Sequence, residues 1–111
     1  MPRFVIRLPD PARARGLEPA LAFRAQGADG FAAELEAALR GSALFEAWRD
    51  RQDEPDEVDP ALGATDPAAR VRGTQRDLAI ELEADTRLPG AVLRHRLGLL
   101  AGAGWELRDV R

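Results

Sequence analysis

Between Asp77 and Ala84 the sequence alternates without interruption, with Leu78, Ile80, Leu82 and Ala84 on one side and Asp77, Ala79, Glu81 and Glu83 on the other. Successive side chains of a strand point to opposite faces, so this spacing predicts a β-strand with one face in a core and the other in water. Such a strand requires a second layer against which to bury its apolar face. Arg3–Leu8 repeats the pattern, with Phe4, Ile6 and Leu8 opposite Arg3, Val5 and Arg7, and Pro9 and Pro11 end it. A weaker alternation at Leu21, Phe23 and Ala25 predicts another strand, and Trp105–Arg108 a terminal one. A short extra strand is expected near Val71.

The second layer is helical. Phe31, Leu35, Ala38 and Leu39 fall on one stripe of a helix that Asp29 is placed to cap. Gly41 stops that helix, and Ser42 is placed to cap a short continuation carrying Leu44, Phe45 and Trp48. Pro89 suits the first turn of a further helix, in which Val92, Leu93, Leu97 and Leu100 form the apolar stripe. These elements predict an α+β fold, a small mixed β-sheet of about four to five strands with two main helices on one face. The expected order is β-β-α, a long acidic loop, then β-α-β. If the last two strands share a sheet, the crossover between them makes them parallel.

A chain of 111 residues has room for one such domain. Leu, Ile, Val and Phe make up about a quarter of it, above the level at which highly charged chains stay disordered. All 16 basic residues are Arg, and Lys, Asn, Tyr and Cys are absent, a bias that matches GC-rich codons and suggests a high-GC bacterial genome. The abundance of Arg therefore carries little functional weight by itself. Without Cys there is no disulfide, no thiolate nucleophile and no Cys-ligated metal centre. The apolar stretch near the N-terminus is too short for a signal peptide, and none is long enough for a membrane span. The expected setting is cytoplasmic, with no membrane partner.

Charge is segregated. Residues 45–66 carry a net −6, whereas the segments before and after are mildly basic. Asp53, Glu54, Asp56, Glu57 and Asp59 are interrupted by Pro55 and followed by Pro60, which disfavours a helix and predicts a flexible acidic loop over residues 52–70. A loop of this length in a compact domain is usually functional or disordered. Its acids lack the spacing and the sixth-position Gly of a calcium loop, so a solvated charge run is expected rather than a metal site.

Catalytic signals are sparse. His95 stands between Arg94 and Arg96, whose charges disfavour its protonation, and a surface or packing role is expected of it. Glu81 and Glu83 offer a carboxylate pair, but Arg3, Arg7, Arg24 and Arg108 occupy polar positions of the other strands, so cross-strand ion pairing accounts for them. Ser42 is the only Ser and no phosphate-cradling glycine motif occurs, so no cofactor is implied. Arg70, Arg72, Arg76, Arg94 and Arg96 form a candidate anion or nucleic-acid patch, opposed by the net charge of −3 and by the scarcity of aromatics for stacking on bases. Trp48 and Trp105 each continue a buried stripe and are expected to pack in the core.

The sequence thus reads as a non-catalytic protein-interaction module that presents Asp53, Glu54, Asp56, Glu57 and Asp59 to a basic protein partner. The alternatives are a small enzyme or ligand-binding domain with a pocket between sheet and helices using His95 or Glu81/Glu83, and nucleic-acid binding through the Arg patch.

Overall fold

A computed structural model describes all 111 residues. Its four strands are β1 (Arg3–Leu8), β2 (Arg70–Arg76), β3 (Ala79–Asp85) and β4 (Glu106–Val110), and its helices are α1 (Ala28–Arg40), α2 (Ala43–Arg49) and α3 (Gly90–Ala101). The fold is α+β, as expected, with the sheet in the order β2-β3-β1-β4. Every neighbouring pair is antiparallel.

That order corrects the expectation of a mixed sheet. β3 and β4 run parallel to each other, but β1 lies between them, so no parallel neighbours exist. β1 and β2 are likewise parallel and separated by β3. Two β-α-β units are therefore split, each receiving a strand of the other in its gap, which is the ferredoxin-like arrangement.

The core lies between the sheet and α1 and α3. Phe4, Ile6 and Leu8 of β1 and Ile80, Leu82 and Ala84 of β3 join Phe31, Leu35 and Leu39 of α1 and Val92, Leu93 and Leu97 of α3 in one buried cluster. Phe23 meets Phe31 edge to face at 4.9 Å between centroids. Trp105 is partly buried against the same cluster. The opposite face of the sheet carries the alternating charged side chains of β1, β2 and β3 and has no covering layer.

Several elements depart from the expectations. Leu21, Phe23 and Ala25 form no strand, because the polar groups of their segment are met by other partners. Phe23 N–H donates to Leu100 O at 2.8 Å, and the N–H groups of Arg24 and Ala25 donate to the Glu34 carboxylate at 2.9 and 2.7 Å. The strand expected near Val71 is instead a full seven residues and forms a hairpin with β3. Asp77 adopts the left-handed conformation (φ 56°) at the tip of that hairpin, so Leu78 leaves the expected apolar face and is 88% exposed. Neither expected cap forms: Gly27 precedes α1, with Asp29 inside its first turn, and Ser42 makes no side-chain cap bond.

β2 stands at the edge of the sheet, and α1 closes that edge. The Glu36 carboxylate accepts from Val71 N–H at 3.0 Å, and Arg40 Nε donates to Ala69 O at 2.6 Å. At Gly73 a Cβ would collide with the Ala28 backbone, so only glycine permits this approach of helix to strand. An edge covered in this way by a helix is closed to another chain at these positions.

Candidate interaction site

Residues 52–70 do not form one free excursion. Two 3₁₀ turns, Pro55–Glu57 and Pro60–Gly63, stand within them, and Asp59 accepts from Ala61 N–H at 2.9 Å to start the second. From Leu62 onward the segment is bolted to the body, and β2 begins at Arg70.

The bolt is Arg96. Its guanidinium donates to Ala38 O at 2.6 Å from Nη1, and to Leu62 O at 2.9 Å and Ala64 O at 2.7 Å from Nη2. Arg96 is fully buried, and burial without a carboxylate partner lowers its pKa from the ordinary guanidinium value. A second clasp lies at Asp66, whose N–H donates to Leu39 O. The Asp66 carboxylate accepts from Thr86 Oγ1 and Arg87 N–H, both at 2.9 Å, and from Ala68 N–H at 3.0 Å. These bonds, with the Arg87 N–H foremost, hold its pKa below the usual carboxylate value against the opposing effect of burial.

The acidic residues themselves remain in water. Asp53, Glu54, Asp56, Glu57 and Asp59 are all exposed, and none makes an ion pair within the protein. Glu46 and Asp50, just upstream, are also exposed and unpaired. The sheet behaves oppositely. Arg72 meets Glu83 at 2.8 Å, Arg3 meets Asp85 at 2.7 Å and Glu83 at 3.6 Å, and Arg76 meets Glu81 at 3.9 Å. The Glu81/Glu83 pair is therefore part of a lattice of cross-strand ion pairs, in keeping with the alternation of charge along these strands.

The expected arginine patch does not assemble. Arg70, Arg72 and Arg76 lie on the open face of β2, Arg94 is exposed on α3 at the other side of the sheet, and Arg96 is buried. The open face also carries Glu81, Glu83 and Asp85 along its middle, and no side chain that β1 or β3 contributes to it is aromatic. A base would find neither a stacking platform nor an unbroken positive field there.

His95 packs edge-on against Trp48, with centroids 4.3 Å apart. Burial, reinforced by Arg96, lowers its pKa, and its Nδ1 is buried without a hydrogen-bond partner. His95 and the Glu81/Glu83 pair lie on opposite sides of the sheet and share no cavity. No group of three or more acidic or His side chains is placed to hold a metal ion. No helix is long and apolar enough to cross a membrane.

A further feature has no signature in the local sequence pattern. The chain between Gly16 and Phe23 forms a loop whose two end N–H groups both donate to Leu100 O, at 3.0 and 2.8 Å. It presents Leu17 98% exposed. Between this loop and the ends of α2 and α3 lies a cleft of about 550 Å³, walled by Leu17, Leu21, Trp48 and Leu99, with Gly98 and Gly102 lining it from the α3 side. Gly102 has φ +61°, and a Cβ there would stand 2.9 Å from Arg15 O, so glycine is required at this chain reversal. Trp48, expected to pack in the core, instead divides its surface between Phe45, His95 and this cleft.

No protein-family model matches the chain, and neither the curated proteins nor the solved structures yield a match. The topology by itself assigns no activity, since one fold serves many functions.

Proposed function

We propose that this protein is a non-catalytic interaction module that receives a basic protein partner on its acidic segment. The observation that carries the reading is the contrast in pairing. Glu81, Glu83 and Asp85 of β3 are matched to arginines, whereas Asp53, Glu54, Asp56, Glu57 and Asp59 face water with no cation beside them. Unpaired like charges on one segment repel one another, and an arriving cationic surface relieves that repulsion while steering its own approach. Arg96 and Asp66 support this role by anchoring the C-terminal end of the segment, which reduces the ordering cost of binding. A bacterial, cytoplasmic setting fits the composition and belongs to the same proposal.

The test is affinity capture from native lysate with the wild type and with a variant carrying Asp53→Asn, Glu54→Gln, Asp56→Asn, Glu57→Gln and Asp59→Asn. A partner retained by the wild type at low salt and lost from the variant is expected. Identical partners on both proteins would sink the reading.

A further inference from the structure

The sheet has two edges, and they differ. β2 is closed by α1, whereas β4, at the other end of the order β2-β3-β1-β4, pairs with β1 alone. Arg3 and Arg111 exchange both of their backbone bonds, at 2.9 and 2.8 Å, and the alternation of an antiparallel ladder then turns the N–H and C=O of Val110 away from β1. The Val110 N–H accordingly has no strand to bond and donates to the Asp109 carboxylate at 2.9 Å. The Val110 side chain is 52% exposed. Leu107, opposite Ile6, takes the matching outward position on the other side of the register shift.

Residues 106–111 read Glu-Leu-Arg-Asp-Val-Arg. The register shift at Val5 and Ile6 makes Arg108 an extra residue, and Arg108 and Asp109 both stand at a hollow on the open face that Val5 and Arg7 also line. Glu106 and Arg111 lie opposite Arg7 and Arg3 on that same face, while Leu107 and Val110, opposite Ile6 and Phe4, turn to the core side. The order of faces is therefore the same read in either direction, and the chemistry matches it. A second strand of this sequence, laid antiparallel about a two-fold axis between Arg108 and Asp109, sets Glu106 against Arg111, Leu107 against Val110 and Arg108 against Asp109, each pair on one face. Moving the axis onto either central residue sets Arg108 against Arg108 or Asp109 against Asp109. Bulges and charges ordinarily guard a sheet edge. Here both are symmetric about one point, and they admit a copy of the same strand in one register.

We propose that β4 is the contact edge of a two-fold dimer of this chain, in which two β4 strands pair antiparallel and join the two sheets into one continuous sheet. This edge is separate from the acidic segment, and the proposal does not depend on the reading of that segment.

Sedimentation equilibrium of the full chain, over a concentration series up to about 1 mM, is expected to show monomer and dimer in exchange. In the dimer the Leu107 and Val110 amides should exchange with solvent more slowly than in dilute solution. Glu106→Arg and Arg111→Glu each oppose like charges at both ends of the strand pair and should weaken association tenfold or more. Mixed in equal amounts, the two variants bring opposite charges together again at both ends, and a heterodimer of near wild-type affinity should form. Arg108→Asp and Asp109→Arg repeat the exchange at the centre and serve where either of the first variants fails to unfold cooperatively. A chain that stays monomeric at every concentration overturns the proposal. So does a dimer whose charge variants associate as tightly as the wild type, because the copies then meet elsewhere. Variants that weaken association without recovering on mixing overturn the register, and with it the proposal.

Discussion

Replacing Arg96 with Met tests the internal architecture most directly, because the substitution keeps much of the stem and removes three hydrogen bonds. A bond from a charged donor contributes about 1.5–3 kcal/mol, so the three to Ala38, Leu62 and Ala64 contribute roughly 5–9 kcal/mol before any cost is counted. Removing a guanidinium from water costs several kcal/mol, which offsets much of that gain. In the Met variant the desolvation cost disappears and the carbonyls are left behind. Ala38 O belongs to the last turn of α1, where the helix itself supplies no partner, and leaving it buried and unpaired costs about 1–3 kcal/mol. The Leu62 and Ala64 carbonyls lie nearer the surface and regain water, adding about 1 kcal/mol together. The net expectation is a loss of about 2–4 kcal/mol by urea denaturation, with a fall in Tm of roughly 10 °C or more. Hydrogen exchange should quicken at the Leu62, Ala64 and Asp66 amides, which are bonded in the tethered segment. A variant as stable as the wild type would refute the reasoning, since desolvation would then outweigh all three bonds.

Four further outcomes are expected. Gly98→Ala should raise stability by about 1 kcal/mol in the same assay, because the Cβ meets no neighbour and the helix gains propensity; a loss would show that the cleft floor is not open. Gly73→Ala should destabilise by several kcal/mol, since the new Cβ runs into the Ala28 backbone, and an unchanged denaturation midpoint would contradict that contact. Asp66 has a lowered pKa in the fold, so its contribution is present above the unfolded value of about 3.9 and is lost as pH falls through the folded value; Asp66→Asn should flatten the acid limb of a stability–pH curve. His95 also has a lowered pKa, so the unfolded chain takes up a proton first as pH drops below about 6.5. Stability should decline over that range, and His95→Gln should remove the decline.

Local pattern alone determined the strands β1 and β3, the apolar stripes of α1 and α3 and the α+β class, because each depends on a period that a few consecutive residues display; of the arginines expected to pair with Glu81 and Glu83 only Arg3 does so, the other partners being Arg72 and Arg76 of the neighbouring strand. The strand order depended on something no local window contains. Whether β1 or β4 lies beside β3 is a choice among long-range pairings, and only the assembled sheet interleaves the two β-α-β units. Arg96 sits three residues after Leu93 and four before Leu100, so the helical period had already placed it on the buried stripe; its charge argued for the surface, and three carbonyls from distant segments hold it inside. The segment at Leu21 and Phe23 resembles a strand by alternation, but its backbone N–H groups donate instead to Leu100 O of α3 and to the Glu34 carboxylate. The cleft beside Trp48 is formed by three parts of the chain about 30 to 80 residues apart in sequence, so no run of consecutive residues contains it. Periodicity is a property of adjacent residues, whereas burial of a charge and the walls of a groove are set by which remote groups arrive beside them.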